Sequence, residues 1–180
     1  MKGRRIKICA EVALSIGTLL TLSLCWSQLA FAKTGSSSVT KADLDADGNL
    51  HIIDSRSREF IAPKKDDQAD CRSPKIAEDK RTVGWLAEYP NPGTSYPIPL
   101  SLLIYRDGKI IREIRPNNAL AIWDWRFLKS GTEVAFWSGR THGNFVPHFE
   151  LRDVRSGRLL AEWDGHVYEP HPAWVSGLKE

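Results

Sequence analysis

Four aspartates are the first residues in this chain whose spacing suggests chemistry. In the segment DLDADGNLHIID, Asp43, Asp45, Asp47 and Asp54 fall at positions 1, 3, 5 and 12 of a calcium-binding loop, with Gly48 at the turn and Leu50 at the apolar position. Such spacing wraps carboxylates around one loop, where they repel unless a hard cation neutralises them. A second reading stands beside it. SSSVTKA is a poor incoming helix, Asp54 is shorter than the usual bidentate Glu, and NLHIID alternates like a strand. On that reading the segment is a solvated Asp-Gly turn opening the first strand.

Four of the five histidines, His142, His148, His166 and His171, lie in the C-terminal third. If the loops that carry them converge, they form a zinc or copper site; otherwise they are surface or core-capping residues. Cys71 sits in the polar stretch DDQADCRS, which predicts an exposed thiol, and no histidine neighbours it in sequence to support a nucleophile. Glu133, Glu150, Asp153 and Glu162 occupy strand positions compatible with a solvated face. The chain has no GxSxG elbow, glycine-rich phosphate loop, HExxH or CxxC. No residue is therefore assigned a catalytic role, and an envelope hydrolase with an unrecognised site stays as an alternative.

These residues must be positioned by strands. Val134 and Phe136 alternate with Glu133 and Ala135, and Phe149 and Leu151 alternate with polar neighbours; period-two spacing places one apolar face on a core. LKSG and RSG supply the hairpin turns. Four antiparallel strands are expected at about 121–127, 132–138, 147–153 and 158–163. In such a strand Trp123 and Trp125 share a face, and Asp124 takes the other to cap a turn or pair with Arg126 or Arg140.

Lys64 to Lys80 is charged and reads as an exposed loop. YPNPGTSYPIPL has prolines at positions 90, 92, 97 and 99, which predicts an ordered, extended loop presenting Tyr96. GRTHGNFVP is a long excursion between strands, and long loops on a β scaffold are where function gathers. The candidate partner-binding residues are thus Tyr96, His142, Asn144, Phe145 and His148. PAWVSGL, opened by Pro172 and closed by Gly177, reads as one helical turn or a last edge strand.

The strand pattern repeats. Val83 precedes Val134 by 51 positions, Gly108 precedes Gly157 by 49, and Asp54 precedes Asp153 by 99. A period near fifty with four strands per unit is the sequence signature of β-propeller blades. AEDKRTVGW, YRDGKIIREI, WRFLKSGTEVAFWS and LRDVRSGRLLAEW resemble blades of WD40-like and TolB-like bacterial propellers, over Leu50 to Trp163. The chain is also similar to short exported proteobacterial proteins. The resemblance implies protein partners rather than small substrates. Only about two and a half blades fit, whereas closed propellers have about four to eight. The expected fold is all-β, with antiparallel four-stranded units like two to three blades, open or sandwich-like, and room for one short C-terminal helix.

Residues 1–32 read as an export signal, with Lys2, Arg4, Arg5 and Lys7 at its start, an apolar run and an Ala30-Phe31-Ala32 cleavage site. Residues 33–41 read as a flexible leader and 42–180 as a single β domain. The full chain holds 25 Lys and Arg against 22 Asp and Glu, and removing the signal leaves 21 of each. A neutral mature chain lacks the basic footprint of nucleic-acid binding. Cleavage would also leave no membrane span, and would leave Cys71 without a disulfide partner. The expectation is a periplasmic or secreted, non-catalytic binding module with an envelope protein partner, able to form oligomers and without a cofactor; the alternative is a metal-binding protein, with calcium at the 43–54 loop or a transition metal at the histidines.

Overall fold

The structure, a computed structural model, describes residues 37 to 180. The expected export signal and the first leader residues lie outside the described residues. Among the described residues eleven strands follow one another: β1 (Val39–Leu44), β2 (Leu50–Asp54), β3 (Glu59–Ile61), β4 (Asp70–Ile76), β5 (Thr82–Tyr89), β6 (Ile98–Arg106), β7 (Lys109–Ile114), β8 (Ala121–Leu128), β9 (Glu133–Gly139), β10 (His148–Asp153) and β11 (Leu159–Asp164). They form three antiparallel meanders, β1-β2-β3, β4-β5-β6-β7 and β8-β9-β10-β11. The all-β expectation holds, as do the four strands read within 121–163, and the sheets do not close into a barrel.

The sheets pack in layers. Val83, Trp85, Ala87 and Tyr89 of β5 meet Val39, Leu50 and Ile52 of the first sheet. On the opposite face, Leu86, Leu102 and Ile104 of the middle sheet meet Ile122, Trp125, Val134 and Phe136 of the last. β5 is consequently buried along all eight residues. A strand covered on both faces loses the polar alternation of a half-exposed one. Burying each large apolar side chain contributes roughly 1.5–3 kcal/mol, and Trp85 and Trp125 are both fully buried.

The outer face of the last sheet is covered by the chain's final residues. Val175 and Leu178 pack against Ala135, Trp137, Phe149 and Leu151. The Trp137 indole N–H donates to the Lys179 carbonyl at 2.7 Å. Asp124 accepts from the Lys75 ammonium at 3.1 Å and from the Lys179 backbone N–H at 2.9 Å, so it ties β4 and the final segment to β8. Its partners are these two groups rather than Arg126 or Arg140. The short C-terminal helix expected at Pro172 is a run of turns, with the N–H groups of Val175, Ser176 and Leu178 each bonding the carbonyl three residues back.

Two further expectations are corrected. β1 begins at Val39, whose side chain is 6% exposed, so residues 39–41 belong to a sheet rather than to a leader. The stretch read as an exposed loop contains β4, and Cys71 within it is buried. A register shift between Arg72 and Lys75 breaks the alternation that would have marked this strand. Pro74 is tolerated because β4 lies on the edge of its sheet. Among the described residues no helix is long and apolar enough to cross a membrane.

Candidate functional site

The meander topology brings one set of connections to one end of the middle and last sheets. β5, β7 and β9 finish there, and β6, β8 and β10 begin there, so residues 90–97, 115–120 and 140–147 are neighbours at that end. Between them lies a hollow of about 270 Å³. Ile98, Leu100 and Leu120 give it an apolar floor, and Asn91, Arg140, Thr141 and His142 give it polar walls. A second hollow of about 340 Å³ adjoins it through the shared Leu100 and is lined by Asp67, Tyr89, Pro90 and Arg115.

Local sequence explains the shape of both loops. Asn91 accepts the Gly93 N–H on its side-chain oxygen at 3.2 Å, and the Thr94 N–H bonds the Asn91 carbonyl at 3.1 Å, which turns the proline-rich segment. Tyr96 beyond it is 45% exposed. In the other loop the Phe145 ring folds back over β9 and stacks on Trp137 at 6.4 Å. Only glycine at 139 permits this, since a Cβ there would stand 2.2 Å from the Phe145 ring.

The five expected partner-binding residues therefore divide. Tyr96 and Asn144 are exposed on the two loops, and His142 lines the hollow. Phe145 and His148 instead belong to the framework. His148 opens β10, with Nδ1 2.7 Å from the Asp164 carboxylate and Nε2 3.4 Å from Glu150. Substituting either residue would disturb packing before it disturbed binding.

Glu150 is the residue that sequence reasoning missed. It is fully buried rather than solvated. Its carboxylate accepts the Asn117 N–H at 2.6 Å and the Arg152 Nε–H at 2.6 Å, and Arg152 reaches on to the Asn117 side-chain oxygen at 2.6 Å. This network pins residues 115–120, which carry Leu120 of the hollow's floor. Alternation placed Glu150 opposite Phe149 and Leu151. Nothing in the sequence shows that the middle sheet covers that second face.

The aspartates of the DxDxDG segment serve the hairpin. Asp45 accepts the N–H groups of Asp47 and Asn49 at 2.9 and 2.8 Å and the Asn49 amide at 2.9 Å. His51 lies between Asp45 at 3.1 Å and Glu59 at 2.7 Å. Hydrogen bonds from Asn49 and His51 hold the Asp45 carboxyl below its ordinary range, and Glu59 followed by Asp45 raises the His51 imidazole. Asp43 pairs with Lys41. Asp54 stands at the far end of the hairpin, opposite Val39, where it binds the Ser37 hydroxyl at 2.6 Å and the Arg58 guanidinium at 2.8 Å. The structure does not bring the four carboxylates to one point.

The remaining histidines are likewise separate. His166 pairs with Glu180 at 3.1 Å and stacks on Tyr168, while His171 bonds the Glu169 carbonyl at 2.7 Å. Among the described residues no three His, Cys, Asp or Glu side chains form a group that could hold a metal. No family model matches this chain, and no curated protein matches it.

Proposed function

We propose that this chain is an exported, non-catalytic binding module of the bacterial envelope that holds a protein partner on the loops 90–97 and 140–147. One observation carries the reading: two eight-residue loops from neighbouring sheets meet about one hollow at the same end of the stack. These loops also carry Tyr96 and Val146, two large apolar side chains that are 45% and 58% exposed. The export signal read in residues 1–32, the balanced mature charge and the likeness to propeller blades support the same assignment.

The test is site-specific photocross-linking in envelope preparations. A photoreactive amino acid placed at Tyr96 or Asn144 is expected to give a discrete protein adduct, while one at Arg155, in a turn at the opposite end of the last sheet, gives none. Equal labelling at all three positions, or adducts only at Arg155, would remove the loop surface from consideration.

A further inference from the structure

The hollow between the two loops has a defined charge. Among the described residues that line it, Arg140 is the one fixed charge and none is a carboxylate. Arg140 and His142 form no hydrogen bond or ion pair among the described residues, in contrast to Arg115, which is held by Glu113 at 3.0 Å. A guanidinium with an imidazole and the Thr141 hydroxyl beside it, over Ile98, Leu100 and Leu120, is a donor-rich site on an apolar floor. Guanidinium forms its strongest hydrogen bonds to carboxylates.

The adjoining hollow continues this surface, with Tyr89 and Pro90 beside Arg115 and Asp67. Leu100 is common to both hollows, so one extended segment crossing it meets Tyr89 on one side and Arg140 on the other.

Resting on the reading above, we infer that the partner docks through an extended acidic peptide segment, with an Asp or Glu carboxylate on Arg140 and His142. Apolar side chains of that segment cover Leu100 and Ile98. The site is selective for a carboxylate because the Arg140 hollow offers donors and a positive charge, while Asp67 of the adjoining hollow shares it with Arg115.

Fluorescence anisotropy of the purified protein tests this with two labelled hexapeptides, one alternating leucine with aspartate and its twin alternating leucine with asparagine. The aspartate peptide should bind about tenfold tighter or more, the difference expected when a charge-assisted hydrogen bond replaces a neutral one. Arg140→Ala should abolish that preference. Arg155→Ala should change the affinity of neither peptide. Equal affinity for the twins, or a preference that survives in Arg140→Ala, overturns the inference. Displacement by free acetate as effective as by unlabelled peptide overturns the peptide assignment in favour of a small carboxylate. If neither peptide binds while Tyr96 still cross-links a partner, the acidic segment is wrong and the loop surface stands.

Discussion

Trp123 and Trp125, two positions apart in β8, lie on opposite faces of their sheet. Regular pleating would put them on the same face. The β8–β9 register instead passes from Ile122 opposite Ser138 to Asp124 opposite Trp137, leaving Trp123 as the extra residue of a bulge. Trp125 thereby enters the core against the middle sheet, while Trp123 joins Trp137 on the outer face and donates its indole N–H to the Gly139 carbonyl at 3.1 Å. One bulge supplies both the inter-sheet core and a support for the strand end from which the 140–147 loop leaves.

The seat of Trp125 is Gly84, where a Cβ would stand 2.6 Å from the indole ring. Gly84→Ala should therefore cost about 1–3 kcal/mol through overpacking, lowering the urea midpoint. Pairing it with Trp125→Leu should recover part of the loss, because the two residues are coupled. An unchanged midpoint in Gly84→Ala would mean that the two layers separate easily there.

Glu150→Ala should destabilise the fold by about 3–5 kcal/mol, since it strands the Arg152 guanidinium within the layers. Glu150→Gln, which keeps an acceptor for the Asn117 N–H, should lose less. Amide exchange at Asn117 should accelerate in the alanine variant more than at Val83. Unaltered exchange at Asn117 would show that the linker is held by other contacts.

Stability should fall on both sides of a neutral plateau. Burial pushes the Asp79 carboxyl up, but the N–H groups of Arg81 and Thr82 and the Thr82 hydroxyl bring it below its ordinary value. The Ser156 hydroxyl and N–H similarly lower Asp153. A depressed carboxylate stabilises the fold above its unfolded pKa near 4, and that contribution is lost as pH falls through the folded value. His51 has the opposite sign. Raised by Glu59 and Asp45 from 6.5, it stabilises the first hairpin fully below that value and loses the effect as pH rises through its higher folded pKa. His51→Gln should remove the alkaline limb and only shallow the acid limb, since it also takes from Asp45 one of the hydrogen bonds that lower it, as read from thermal melts between about pH 3 and 9. An alkaline limb that persists in the variant would assign it to another group.

Cys71 should resist thiol reagents in the folded protein. Its side chain is buried, its sulfur accepts the Gln68 amide at 3.3 Å, and burial pushes the thiol above its ordinary value, which suppresses the reactive thiolate. Maleimide labelling should proceed only in denaturant. Rapid labelling of the native protein would show that β4, an edge strand, opens readily.

In the last sheet, β9 and β10 were legible because each carries a run of alternation, and β8 and β11 because LKSG and RSG mark the turns that join them to those strands, even though a bulge at Trp123 interrupts β8. β4 was not, because its bulge and Pro74 break the period that pattern reading depends on. The two loops that form the candidate site were legible from their lengths and prolines, and so was His142. Phe145 reads as a surface residue because an aromatic in a long loop looks the same in sequence whether it faces a partner or Trp137. Glu150 reads as solvated for a related reason. Burial of a polar strand face is decided by which sheet stacks on it, and that contact joins β10 to a linker more than thirty positions earlier in the chain.

The double coverage of β5 separates what the molecule must conserve from what it is free to vary. Both cores run through that one strand, and the 90–97 loop leaves from its end. Residues 91–96 and 140–144 contribute almost nothing to either core, so a lineage or a library can diversify them without renegotiating the architecture. The stack is in this sense a display framework, with its folding instructions in the layers and its specificity in two short, replaceable segments.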